Sequence, residues 1–169
     1  DSESDSPDVL EFLPASMLGA KVRRNAAWRN SSGEVYADVI LPRAGKYRAE
    51  FVLAGQQAGP DPVRFSLRMN HKERRRVDVP ESIDNPATHS FTFSSNDVDI
   101  RIGASFLNDY NRPKSNEKSR DRNAAIIEIR VVGPLDPGPQ SEIQRALAAK
   151  VSRHSTRVGM ARAARWLLE

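Results

Sequence analysis

From about Trp28 onward, apolar residues fall at every second position. Val35, Ala37, Val39 and Leu41 make one such row, Tyr47, Ala49, Phe51 and Leu53 a second, and Val63, Phe65, Leu67 and Met69 a third. Successive side chains of an extended strand point to opposite faces, so this period predicts strands with one face buried and the other in water. Val77 and Val79, then Phe91 and Phe93, then Val98, Ile100, Ile102, Ala104 and Phe106 continue the pattern. It ends in AAIIEIRVV, with Ile127, Ile129 and Val131 expected on one face and Gly133-Pro134 as the stop. The intervening pieces are turn chemistry: Pro-Arg-Ala-Gly at 42–45, the Gly- and Pro-rich AGQQAGPDP, Asn70-His71 at a hairpin, Ser95-Asn96-Asp97, and the long polar LNDYNRPKSNEKSRDRN. Short strands joined by turns, with no long helix between them, predict an all-β fold, an antiparallel jelly-roll β-sandwich.

Both ends leave this pattern. Residues 1–20 read as an acidic lead-in or linker, with Leu10–Met17 docking as a short irregular piece. After Asp136-Pro137-Gly138-Pro139 the period changes. Ser141 can cap a helix running to Lys150, and Ser155 or Thr156 can cap a second through Ala161, Ala164, Trp166 and Leu168. The expected organisation is therefore a lead-in at 1–20, a β-sandwich at 21–135 and a short C-terminal helical segment at 136–169, read as the start of a following domain.

Charge sharpens this division. The net charge is +4 in 169 residues, but Asp1, Glu3, Asp5, Asp8 and Glu11 make the start acidic. Arg145, Lys150, Arg153, Arg157, Arg162 and Arg165 make the end basic. A sandwich of mixed surface charge with a basic appendage accounts for the balance without a nucleic-acid partner. The run His71-Lys72-Glu73-Arg74-Arg75-Arg76 has no interleaved aromatics and falls on a hairpin, as a solvated turn would. No apolar run has the length of a membrane span. The chain has no cysteine, which excludes disulfides, thiolate zinc sites and a cysteine nucleophile. His71, His89 and His154 lack metal-ligand spacing, and nucleophile elbows, P-loops and dinucleotide fingerprints are absent. The reading is of a non-enzymatic chain.

The chemical signal lies in the long polar loop. Asn108-Asp109 opens it and Asp121-Arg122-Asn123 closes it. If the flanking strands are neighbours, Asp109 and Asp121 meet at the rim of the sandwich among backbone carbonyls. Calcium takes six to eight hard oxygens in flexible geometry, which such a loop can supply. The same residues can equally cap turns through Asx hydrogen bonds. Tyr110 stands beside this place and Trp28 reads as an edge residue packed on the sheet, either ring being of a kind that stacks on sugars.

The stretch FLNDY…RDRN, followed by a strand ending IRVVGPL, resembles the calcium-dependent xylan-binding carbohydrate-binding modules. It is most similar to the copies embedded in large planctomycete multidomain proteins that carry a cytochrome-c-type haem domain and domains of unknown function. SSGEVYADVILPRAGKYRAEFVLAGQQAGPDPVRFSLRMN resembles the first half of that module, and EIQRALAAK…ARAARWLLE the beginning of the helical domain after it. The family continues from DRN with a leucine and an aromatic or branched residue, whereas this chain has Ala124-Ala125-Ile126-Ile127. The resemblance implies a jelly roll with Ca2+ at the loop rim, completed by vicinal hydroxyls of a polysaccharide or oligosaccharide. It implies Asp109 and Asp121 as carboxylate ligands. Asn108, Arg122 and Asn123 would supply carbonyl or amide oxygens or shape the loop, and Tyr110, Gln57 and Asp61 would form weaker ligand-binding positions. It further implies an exported, periplasmic or extracellular setting, with other domains of the same chain as partners. The alternative is a structural spacer between redox and helical domains, with no glycan ligand.

Overall fold

The structure, a computed structural model, describes residues 7–112 and 120–137. The chain divides after Leu135 into two units, and the first is a β-sandwich. The helices expected from Ser141 and from Ser155 or Thr156 lie outside the described residues.

Eleven strands build the sandwich in chain order. After β1 (Asp8–Phe12) and a 3-10 turn at Pro14–Ser16 come β2 (Lys21–Arg23), β3 (Ala26–Arg29), β4 (Gly33–Ile40) and β5 (Gly45–Gln56). Then follow β6 (Val63–Met69), β7 (Lys72–Val79), β8 (Ala87–Ser95), β9 (Asp99–Phe106), β10 (Tyr110–Asn111) and β11 (Asp121–Gly133). One sheet has seven strands, ordered β2-β3-β11-β5-β8 with β1 and β10 also paired to β11; the other has four, ordered β4-β9-β6-β7. Every pairing is antiparallel.

The alternating rows close over one another as their period requires. Tyr47, Phe51, Phe65 and Phe106 are each at most 1 % exposed and share a core with Val35, Leu53, Leu67, Ile102 and Ile126. Each such aromatic removed from water contributes on the order of 2–3 kcal/mol. The Tyr47 hydroxyl donates to the Arg43 carbonyl at 2.7 Å, so its polar end is satisfied. Two hairpins turn through residues with positive φ. Asn70 and His71 (50° and 67°) link β6 to β7, and Arg24 and Asn25 (52° and 61°) link β2 to β3. Both positions left-handed is the geometry that suits the twist of a tight hairpin.

Three sequence expectations change. Asp8–Phe12, placed in the lead-in, is a strand whose backbone pairs Asp8 with Gly133 and Phe12 with Ile129. Met17, a little further on, is buried in the core. Ile127 does not share a face with Ile129 and Val131, because the register on β5 shifts between Ile126 and Glu128. A bulge of this kind reverses the alternation, sending Ala124 and Ile126 inward and Ile127 outward. Val98 precedes β9 and is exposed.

Candidate functional site

β11 is the spine of the candidate site. Along one edge it carries β10 at Asp121–Arg122 and β3 at Ala124–Ile126, while its other edge pairs with β5. The β10 register sets Tyr110 opposite Arg122 and Asn111 opposite Asp121. Continued by one residue, it brings exposed Asp109 across from Asn123. The two ends of the long loop are thus side by side.

Alternation then separates the residues by face. Arg122, with Ala124 and Ile126, points into the sandwich. It is only 3 % exposed. Its Nε donates to the Ala58 carbonyl at 3.0 Å and a terminal nitrogen donates to the Asn108 carbonyl at 2.7 Å. The other terminal nitrogen is buried without a partner. The guanidinium also lies 5.0 Å from the Tyr110 ring centroid, and Arg112 lies 5.6 Å from it. Arg122 therefore shapes the loops: it ties 57–62 and 107–109 to β11. Asn108 does the same work, its Oδ1 accepting from the Arg64 backbone N–H at 2.8 Å and its Nδ2 donating to the Pro62 carbonyl at 2.7 Å. Gln57 links three segments, donating to the carbonyls of Val79 and Glu81 and accepting from the Val63 N–H. Tyr110 is packed: a Cβ at Gly59 would lie 2.8–3.0 Å from its ring. Asp61 is exposed on the same loop, near Arg64.

Asp121 and Asn123 occupy the outer face. Asn123 is 5 % exposed. Its Nδ2 donates to Asp121 Oδ2 at 3.1 Å and, at a long 3.4 Å, to Gln56 Oε1. Its Oδ1 is buried with no partner. Buried acceptors are ordinarily satisfied, and this oxygen is one of several buried polar atoms without a partner among the described residues. The grouped atoms are hard oxygens, one carboxylate and two amides. That donor chemistry fits calcium better than a soft or strictly octahedral ion. Among the described residues, no three His, Cys, Asp or Glu side chains cluster as a metal site.

Next to this group lies a cleft of about 710 Å³, lined by Arg23, Arg24, Trp28, Gln56, Ser82 and Asp84 among others. Trp28 joins this cleft to a small buried cluster on the outer side of the sheet. Ala125 pairs with Ala54 on β5 and with Trp28 on β3, and Ala26, Ala54 and Ala125 are fully buried beneath Trp28 and Ile127. Ser82–Asp84, also in the lining, follows Glu81, whose carbonyl accepts from Gly55 N–H at 3.0 Å. Sequence reasoning weighed Trp28 as a packed edge residue and missed Gln56, Arg23, Arg24, Ser82 and Asp84. These come from three separate segments, and only their pairing brings them together.

No family model matches the sequence, and no curated protein matches it. Solved structures do resemble it in fold. The CBM36-1 domain of a multidomain xylanase from the hindgut metagenome of Trinervitermes trinervoides aligns over 76 % of this chain and 99 % of its own, at 11 % identity and a TM-score of 0.50. A CBM35 from Cellvibrio japonicus Abf62 aligns over 75 % and 94 %, at 13 % identity and 0.50. A family GH115 4-O-methyl-α-glucuronidase with specificity for decorated arabinogalactans aligns over 72 % of this chain but 17 % of its own, at 9 % identity and 0.53. At these identities the likeness is one of fold: the chain has the β-sandwich found in carbohydrate-binding modules.

Proposed function

We propose that this chain is a non-catalytic carbohydrate-binding module whose glycan site lies on the outer face beside β11 and is organised by a calcium ion. The observation that carries the reading is the buried, unpartnered Oδ1 of Asn123, grouped with Asp121 and Gln56 at the edge of a solvent-open cleft. Asp121 and Asn123 would hold the ion, with Asp109 completing the set. When bound, the ion supplies a positive centre for sugar hydroxyls. Arg122, Asn108 and Gln57 keep the loops in place through backbone carbonyls and N–H groups. The CBM36 and CBM35 structures of like fold support a sugar ligand. The resemblance to xylan-binding modules supports xylan as the glycan and an exported, multidomain parent.

Isothermal titration with xylo-oligosaccharides, in calcium and in chelator, tests this. Binding in calcium that is lost with chelator is the expected result. Binding that ignores chelator would overturn the metal part. Absence of binding to any glycan across a broad array would leave a spacer domain.

A further inference from the structure

We propose that the cleft beside Asn123 takes an acidic sugar, with Arg23 and Arg24 at the β2–β3 hairpin gripping the carboxylate of a uronic acid. The proposal rests on the reading of the chain as a carbohydrate-binding module, and it assigns that site its substrate class.

Both arginines line the cleft. Among the described residues, neither has a carboxylate partner. By contrast, Arg48, Arg64, Arg68, Arg76, Arg101 and Arg130 each lie within ion-pair distance of one. Arg23 is also pre-positioned. Its guanidinium carbon lies 5.4 Å from the Trp28 ring centroid, and Trp28 Nε1 donates to the Arg23 carbonyl at 3.1 Å. A cation stacked on an indole keeps its N–H edge free for an in-plane acceptor. The indole is thereby a platform for the guanidinium rather than for a sugar ring.

Arg24 is held in a conformation its residue type does not favour. It occupies the first left-handed position of the turn, at φ 52°. Asn, Asp and Gly are the residues that suit this position, and Asn70 fills it in the other hairpin of the same geometry. An arginine there puts a second charge at the cleft. Two planar forks match the two oxygens of a carboxylate. Ser82, Ile83 and Asp84 also line the cleft, and the hydroxyl and carboxylate among them supply acceptors for ring hydroxyls. The volume of about 710 Å³ is that of an ordinary ligand cleft.

The test is titration of the full chain, in calcium, with a glucuronic-acid-substituted xylo-oligosaccharide, its methyl ester, the unsubstituted oligosaccharide and a sulfated oligosaccharide. The wild type is compared with R24N and with R23Q/R24N. R24N places a better turn former at φ 52°, so its melting temperature should match or exceed that of the wild type. The acid should bind about tenfold tighter than its ester, the gain of one charge-assisted hydrogen bond pair at a wet site. That preference should shrink with added salt and vanish in R23Q/R24N. Equal affinity for acid and ester, or a preference surviving in R23Q/R24N, would overturn the proposal while leaving a neutral-sugar module intact. Equally tight sulfated sugar would overturn the carboxylate assignment. Failure of all four sugars would overturn both this proposal and the function it rests on.

Discussion

Tyr110 is the residue beside the candidate site that most invites a sugar-stacking role, and Gly59 shows why its ring is otherwise engaged. Gly59 has φ +75°, and a Cβ there would lie 2.8 Å from one atom of the Tyr110 ring and 2.9 and 3.0 Å from two others. Gly59→Ala thus combines two penalties. The left-handed backbone costs a non-glycine residue about 1–2 kcal/mol. Forcing a methyl group against a ring packed beside Arg112 and Arg122 costs about 1–3 kcal/mol more. The substitution should destabilise the domain by about 2–5 kcal/mol in total. Tyr110→Ala removes the ring but not the backbone penalty. In that background Gly59→Ala should cost only the first part, a coupling of about 1–3 kcal/mol between the two sites. Urea denaturation of the wild type, both single variants and the double variant measures this directly, since the loss intrinsic to Tyr110→Ala cancels around the cycle. If the two losses simply add, the ring does not rest on Gly59, and Tyr110 returns to being an available stacking surface.

Three further outcomes follow from the geometry. Asp121→Ala should lower the melting temperature more in calcium than in chelator, where only the hydrogen bond from Asn123 is lost, because an ion that binds only the folded chain stabilises by mass action, about 2.7 kcal/mol at a hundredfold excess over its dissociation constant; equal losses in both would remove Asp121 from the metal set. Burial pushes the His89 imidazole below its ordinary value of 6.5, Arg75 adding to the effect and Glu81 opposing it. Between the lowered native value and 6.5 the unfolded chain binds the proton that the native chain does not, so stability is complete above 6.5 and falls as pH drops through that window. His89→Gln should flatten this part of the profile, which urea midpoints measured across pH would show. Trp28→Ala uncovers Ala26, Ala54 and Ala125 and should lower stability by about 1–3 kcal/mol in denaturant titrations, given a half-buried indole.

Strands β4, β5, β6 and β9 were legible because each has a long alternating row, while β7 and β8 were read from the pairs Val77/Val79 and Phe91/Phe93 between turn signals. β1 was not. DVLEF sits among acidic residues, and only Leu10 and Phe12 pack against the core beside its backbone ladder to Ile129–Gly133, a side-chain period too short to read as a strand. The β2–β3 hairpin escaped notice because Arg24-Asn25 carries no glycine. The bulge at Ile126/Glu128 is set by the β5 register and invisible in AAIIEIRVV, so one apolar residue was placed on the wrong face. At the candidate site, DRN at the start of the last strand pointed to Asp121 and Asn123, whose outward faces follow from alternation alone. Arg122 could be read either as a carbonyl ligand or as a shaper of the loop; its side chain, buried against two carbonyls from distant loops, does the tying. The cleft was unreadable because its walls belong to segments that meet only across β11 and β5.

The pairing of β1 with β11 has a consequence for how the chain becomes native. Residues 8–12 find their partners only at 129–133, so β1 has no ladder to join until β11 emerges from the ribosome. Closing so long a loop before its contacts reward it is slow, and the seven-stranded sheet lacks its central member until β11 arrives. During synthesis the four-stranded sheet and the β5–β8 pair wait with one apolar face uncovered. Maturation of this sandwich is therefore a late, nearly all-at-once event, and any nascent chain stalled before Asp121 is left exposed to misassembly.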